Sequence, residues 1–227
     1  MGKLNRLQMA WRAAQDLQEG MLVNLGLGMP VACSDYVPGG REIVFQSENG
    51  VISAGPLAGP NVADPDLVDA GSRQITIAEG GVVIDSVASF AMIRGGHIDV
   101  TLLGAFEVAV NGDLANWDSR IPDKGPLVGG AMDLAATAKA VWVIMEHTTR
   151  KGGPRLLEHC SLPLTAPGCV KRIYTDLAVV SVTAEGFVVH EIVPGISRGE
   201  LQAATGAKLM FAPDCGVLAA PDIKDPG

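Results

Sequence analysis

The chain has few aromatic residues, few basic residues and no paired cysteines, and each shortage closes off a class of protein. Aromatics make up 4% of its 227 positions, whereas glycine occurs 28 times. That pairing fits an α/β protein with many tight strand–helix turns rather than a β-sandwich. Lys and Arg number 17 against 25 Asp and Glu, a net charge of −8. Such a balance argues against nucleic acid or an anionic membrane as a partner, but leaves room for a locally basic pocket. Cys33, Cys160, Cys169 and Cys215 are widely spaced. They form no CxxC pair and no zinc pattern with histidine, so free thiols and no metal are expected. No apolar run approaches the ~18 residues of a membrane span. Met1 to Gly20 carries charges throughout and holds no apolar segment of signal-peptide length. The expectation is a cytoplasmic protein. No linker or repeat stands out. Residues 1–210 read as one domain, and 211–227, rich in Pro, Gly and Asp, as a loosely ordered tail.

What is present is a pattern of buried runs and glycine turns. Hydrophobic residues reach 48%, enough for a sizeable core. Leu7, Ala10, Trp11, Ala14 and Leu17 fall at helical spacing, and Gly20 is a stop. Met21 to Leu25 reads as a strand running into Gly26-Leu27-Gly28-Met29-Pro30, with a helix starting near Pro30. Ile43 to Gln46 is a second strand, and Asn49 to Ala63 reads as a Gly/Pro loop. Gln74 to Ile77 and Ile98 to Leu103 are further buried-type runs. Asp85 to Arg94 between them is a helix stopped by Gly95-Gly96. Phe106 to Val110 and Val141 to Met145 read as strands, Asp133 to Lys139 as a helix. Leu177 to Val182 and Phe187 to Ile192 form a hairpin around Thr183–Gly186. Ser197 caps a last helix, with Glu200 as capping-box partner. The fold class is α/β, a mostly parallel or mixed sheet covered by helices.

One carboxylate stands out. Glu48 follows a buried-type strand and enters a flexible loop, which places it at the rim of a sheet where α/β proteins bind ligands. A carboxylate there can attack carbon or bind a metal, and Gly50 leaves room for close approach. Two glycine turns could aim backbone N–H groups at an anion or a carbonyl oxygen: Gly26 to Gly28, with Asn24 just before it, and Gly129-Gly130-Ala131. Each is equally at home as a plain strand-to-helix turn. The first is no dinucleotide fingerprint, because its third glycine is missing. Nothing near His97 would orient it as a base, His147 and His159 read as residues of polar loops, and His190 alternates within a strand. Cys160 and Cys169 have no adjacent base at motif spacing.

Taken together, these segments resemble the B subunits of family I coenzyme A transferases. Gln46-Ser47-Glu48-Asn49-Gly50 is similar to the family's S-E-N-G signature. Val23 to Pro30 resembles its N-L-G-x-G-x-P turn, and Ser89 to Asp99 its S-F-x-M-x-R-G-G-H-x-D segment. Gly112 to Trp117, Gly129 to Leu134, Pro163 to Thr165 and Arg172 to Asp176 also match, in order, over about residues 5 to 207. Ser53 departs from the pattern, standing where glycine is usual, and nothing after Lys208 can be placed.

The resemblance implies a reaction. CoA would pass from an acyl-CoA such as succinyl-CoA to a 3-oxo acid, acetoacetate or 3-oxoadipate, through a thioester on Glu48. Asn24, Gly26, Gly28, Asn49, Gly50, Gly129, Gly130 and Ala131 would bind substrate or hold the oxyanion. CoA and acyl-CoA would be substrates, with no tightly bound cofactor. A separate A subunit would complete a heterodimer or heterotetramer. Two alternatives stay open: an acetate/butyrate-type CoA-transferase, and a non-catalytic module sensing CoA or a sugar phosphate. For a second substrate carboxylate, Arg94 and Arg120 are the basic residues to consider, against their ordinary reading as surface ion-pair residues.

Overall fold

Short apolar runs broken by glycine turns produce one long sheet. The structure is a computed structural model, and it describes residues 2–122 and 125–224. The strands are β1 (Leu22–Leu25), β2 (Val44–Gln46), β3 (Val51–Leu57), β4 (Ile75–Val83), β5 (Val100–Leu103), β6 (Glu107–Ala109), β7 (Leu114–Ala115), β8 (Ala140–Ile144), β9 (Leu156–Leu157), β10 (Val170–Tyr174), β11 (Ala178–Thr183), β12 (Gly186–Ile192) and β13 (Leu209–Val217). The α-helices are α1 (Arg6–Gln15), α2 (Ser86–Arg94), α3 (Ala131–Thr137) and α4 (Arg198–Ala203). Ten strands make the main sheet in the order β13-β12-β11-β10-β8-β5-β1-β2-β3-β4, and β7-β6-β9 make a small second one. The middle of the main sheet, β10-β8-β5-β1-β2, is parallel throughout. Antiparallel hairpins flank it, β2-β3-β4 on one side and β10-β11-β12 on the other.

Local signals explain the helix starts. Asn5 and Gln8 form a capping box on α1, Asp85 caps α2 by accepting from Ala88 N–H, and Ser197 with Glu200 forms the capping box of α4. Each satisfies N–H groups that a helix end leaves orphaned. The central strands are buried on both faces: Val100, Thr101, Leu102 and Leu103 are all inaccessible. Burial on both faces is why they read as continuous apolar runs rather than alternating ones.

Two expectations are corrected and a third is made more specific. The stretch after Asn49 is no loop, since Val51–Leu57 pairs antiparallel with both β2 and β4. The helix expected near Pro30 is present and is of the 3-10 type, Met29–Tyr36. Of the expected tail 211–227, residues 211–224 are not loose, and 225–227 lie outside the described residues. β13 runs parallel to β12, Leu218 is fully buried, and the backbone oxygens of Pro221 and Ile223 accept from the side chains of Gln8 and Asn5.

Candidate active site

Four neighbouring parallel strands end at one place. The chain leaves β1 at Gly26, β2 at Glu48, β5 at Gly104 and β8 at Met145, and all four residues line a single cavity of about 410 Å³. Ligands of open α/β sheets bind beyond such carboxyl ends. The volume falls within the range of about 300–1,000 Å³ for small-molecule sites. Gly129, Gly130 and Ala131, where α3 begins, form the opposite wall.

Glu48 sits in a tight turn. Gly50 N–H donates to the Ser47 carbonyl at 2.9 Å, and Ser47 N–H to the Val51 carbonyl at 2.8 Å. Gly50 has φ +117°, and a Cβ there would collide with the Ile84 carbonyl. Its lack of a side chain admits the backbone of the neighbouring strand end rather than a ligand. The connection between β3 and β4 folds back over this turn. Ala70 N–H donates to Ser47 Oγ, and Asn49 Nδ2 donates to the Val68 carbonyl at 2.8 Å. Asn49 thus serves as a clamp on the exposed side.

Asn24 is also held away from the cavity. It is buried, and its amide donates to the Gln46 carbonyl at 3.1 Å and to Gln46 Oε1 at 2.6 Å. Gln46 Nε2 then donates to Ser89 Oγ at 2.7 Å. This chain ties β1, β2 and α2 together, two residues before Glu48 in the sequence. Gly26 lines the cavity, but its N–H is spent on the Leu102 carbonyl at 2.8 Å. Its missing side chain matters instead, because a Cβ would meet Leu102 O and Leu103 Cδ2 at 2.9 Å. Gly28, at φ +89°, turns the chain into the 3-10 helix and does not line the cavity.

The glycine turn at Gly130 does meet the carboxylate: Gly130 packs directly against it, and its N–H is near enough to pull the Glu48 pKa down. A side chain there would strike the carboxylate and approach Phe90 Cζ at 3.1 Å, so only glycine permits the contact. The Glu48 carboxyl titrates above the ordinary carboxylate range. Burial is the main cause and the charge of Asp133 adds to it, while the Gly130 N–H opposes both. Asp133 is held in turn by Arg94, with Nε to Oδ1 at 2.7 Å, and Arg94 lies over the Phe90 ring at 5.5 Å. Arg94 is therefore already paired, and Arg120 lies outside the cavity.

Among the described residues, no group of three or more His, Cys, Asp and Glu is arranged to hold a metal, and no helix is long and apolar enough to cross a membrane. Burial pushes the thiols of Cys160 and Cys169 up to about 12 and about 11, which leaves them unreactive near neutral pH. Two contributors carry no signal of their role in the sequence. Asp133 gives no sign of its charge on Glu48, and Arg155 lines the cavity without belonging to any motif.

A family model described as coenzyme A transferase matches residues 6–204. The chain belongs to the coenzyme A transferase family. Curated members resemble it along nearly their whole length. The B subunit of the 3-oxoadipate CoA-transferase of Acinetobacter baylyi is 48% identical over 210 residues, covering 92% of this chain and 97% of that one. The B subunit of the succinyl-CoA:3-ketoacid coenzyme A transferase of Helicobacter pylori is 46% identical over 200 residues, covering 87% and 94%. Among solved structures, the acyl-CoA transferase YdiF of Escherichia coli O157:H7 superposes with a TM-score of 0.71 at 18% identity, covering 94% of this chain and 43% of that longer one. Glutaconate coenzyme A-transferase from Acidaminococcus fermentans gives 0.68 at 17%, covering 96% and 90%. These two likenesses show the CoA-transferase fold, and the sequence relatives show the family.

Proposed function

We propose that this chain is the B subunit of a CoA-transferase that moves CoA from an acyl-CoA, such as succinyl-CoA, to a 3-oxo acid, with Glu48 as covalent nucleophile. The observation that carries the reading is the close packing of the Gly130 backbone against the Glu48 carboxylate in the wall of a cavity at the strand ends.

The steps follow from the need to conserve the thioester. A Glu48 oxygen attacks the acyl carbonyl carbon, the C–S bond breaks, and CoA leaves as thiolate with a mixed anhydride on Glu48. The thiolate then attacks the glutamyl carbonyl carbon. A Glu48–CoA thioester forms and the first acid departs as carboxylate. The acceptor acid runs both steps in reverse. Splitting one exchange into matched steps is covalent catalysis.

Each thiolate attack on the glutamyl carbon puts negative charge on Glu48's own oxygen. In the resting enzyme Gly130 already packs against that carboxylate, with its N–H near enough to lower the Glu48 pKa. An N–H held at that position is placed to receive the glutamyl oxyanion, a role worth roughly 10²–10³ in rate per donor. Partial desolvation sharpens the nucleophile, since a carboxylate with a raised pKa is the stronger base. A sensing module would need no such carboxylate, so the structure favours the enzyme over the binding alternative.

The test is exchange activity of the complex reconstituted with an A subunit, using succinyl-CoA and a panel of acids. Glu48→Gln, assayed freshly prepared, is expected to lose essentially all exchange. Full activity of that variant would refute the assignment.

A further inference from the structure

Arg155 and Glu48 are the only charged side chains among the described residues that line the cavity. The other polar side chain in the wall is already spent: Asn116 donates to the Gly104 carbonyl at 3.0 Å and accepts from Thr165 Oγ1 at 2.6 Å. Arg155 is not. Arg12, Arg41, Arg73, Arg94 and Arg172 all donate to a protein oxygen. Arg155 makes no side-chain hydrogen bond within the described residues. The one carboxylate near it is Glu146, with 4.0 Å between Nη2 and Oε2. Yet its side chain is only 23% exposed. A guanidinium carries five N–H donors in a planar fork, and withdrawing it from water without an acceptor is unfavourable.

Its backbone is fixed on both sides. Arg155 N–H donates to the His147 carbonyl at 3.2 Å, and its own carbonyl accepts from Val108 N–H at 3.0 Å. A pinned main chain fixes the point from which the side chain enters the cavity wall. Leu103, Phe106, Ile144 and Met145 share the wall with it and suit methylene groups.

We propose that Arg155 is a specificity-determining residue that receives the remote carboxylate of a dicarboxylic acyl group whose reacting carbonyl lies at Glu48. The inference rests on the reading of Glu48 as nucleophile. It assigns the site to dicarboxylic acids in preference to monocarboxylic acids of equal length, because a site built to bind a charged group rejects the analogue that lacks it.

The experiment compares succinyl-CoA with butyryl-CoA, which differ in a terminal carboxylate against a methyl group. It uses the complex reconstituted with the A subunit, and reads both kcat/KM and the thioester formed on Glu48. Wild type is expected to favour succinyl-CoA. Arg155→Met is expected to lower kcat/KM for succinyl-CoA by roughly 10- to 100-fold, the scale of a lost charge-assisted hydrogen-bonded pair, mostly through KM. Butyryl-CoA turnover is expected to stay near wild type, which also shows that the variant folds. Arg155→Lys is expected to recover part of the succinyl preference. Equal loss on both substrates, or an unchanged ratio with Glu48 still acylated, would overturn the role of Arg155 alone. A wild-type complex that forms no Glu48 adduct from either thioester would overturn the nucleophile assignment and this inference with it.

Discussion

A carboxylate attacks only while ionised, so the surroundings of Glu48 fix the acid side of the rate profile. Burial and Asp133 both raise its pKa. The rate is therefore expected to fall with acid at a midpoint above the ordinary glutamate value of about 4.3. Asp133→Asn removes a negative charge and is expected to move that midpoint to lower pH. A pH–rate series on both proteins checks the shift. Gly130→Ala puts a methyl group into the carboxylate, and is expected to cut kcat by roughly 10²–10³ while the far-UV circular dichroism stays native. His147, by contrast, is structural. It is fully buried, with Nδ1 3.0 Å from Thr175 Oγ1 and Nε2 2.9 Å from Thr205 Oγ1. Thr175 Oγ1 already accepts from the N–H groups of Leu177 and Ala178, and Thr205 donates to the Leu201 carbonyl. The Thr175 hydroxyl proton has two acceptors at 3.0 Å, the Ala178 carbonyl and Nδ1; directed to Nδ1, it leaves a neutral ring whose Nε2–H donates to Thr205. Burial, with help from Lys3, lowers its pKa to about 4 against the opposing pull of Asp176. An unfolded His takes up a proton near pH 6.5 whereas the folded one does not. Stability from this site is therefore complete above pH 6.5 and falls as pH drops toward 4, by ~3 kcal/mol in all. Urea midpoints at pH 7 and pH 5, compared with those of His147→Gln, test the sign.

At the scale of elements, the site is held by hydrogen bonds between strands rather than by motif residues touching substrate. Asn24→Ala breaks the link through Gln46 to Ser89 and strands a buried amide. It is expected to destabilise the fold by about 1–3 kcal/mol, read from the urea midpoint. Removing residues 209–224 strips β13 from β12 and leaves the β12 edge, with the buried Phe187 and Val189, uncovered. A truncated chain is expected to aggregate, because an unpaired apolar strand invites edge pairing, and light scattering would show it. These elements also show what a sequence can disclose. The caps at Asn5, Asp85 and Ser197 are legible or nearly so, because a cap and its target lie three residues apart. The central strands are legible because burial on both faces leaves an uninterrupted apolar run. β3 is not: Gly55 and Pro56 look like loop punctuation, and its place in the sheet depends on pairing with β4 some twenty residues on. β13 is hidden for the same reason, its partner lying across α4. Glu48 and Gly130 each stand out along the chain, but their meeting is a tertiary fact. Arg155 has no local signal at all.

At the scale of the whole molecule, the cavity mouth is apolar and open. Leu27 is 60% exposed, Leu127 66% and Val128 77%, and all three line the cavity. Met132 on α3 adds a fourth exposed apolar side chain beside them, 43% exposed. Apolar side chains gathered around a site, rather than scattered singly, mark a surface that becomes covered, and an A subunit seated over the mouth would also keep water from a mixed anhydride. The isolated chain is expected to exchange CoA far more slowly than the reconstituted complex, and robust turnover by the isolated chain would count against a two-subunit site. The most direct measurement is mass spectrometry of the peptide containing Glu48, after the complex is incubated with acyl-CoA alone and reduced with borohydride. The mechanism requires Glu48, and no other residue, to be converted to the corresponding alcohol. An unmodified Glu48 in a complex that is turning over would contradict it.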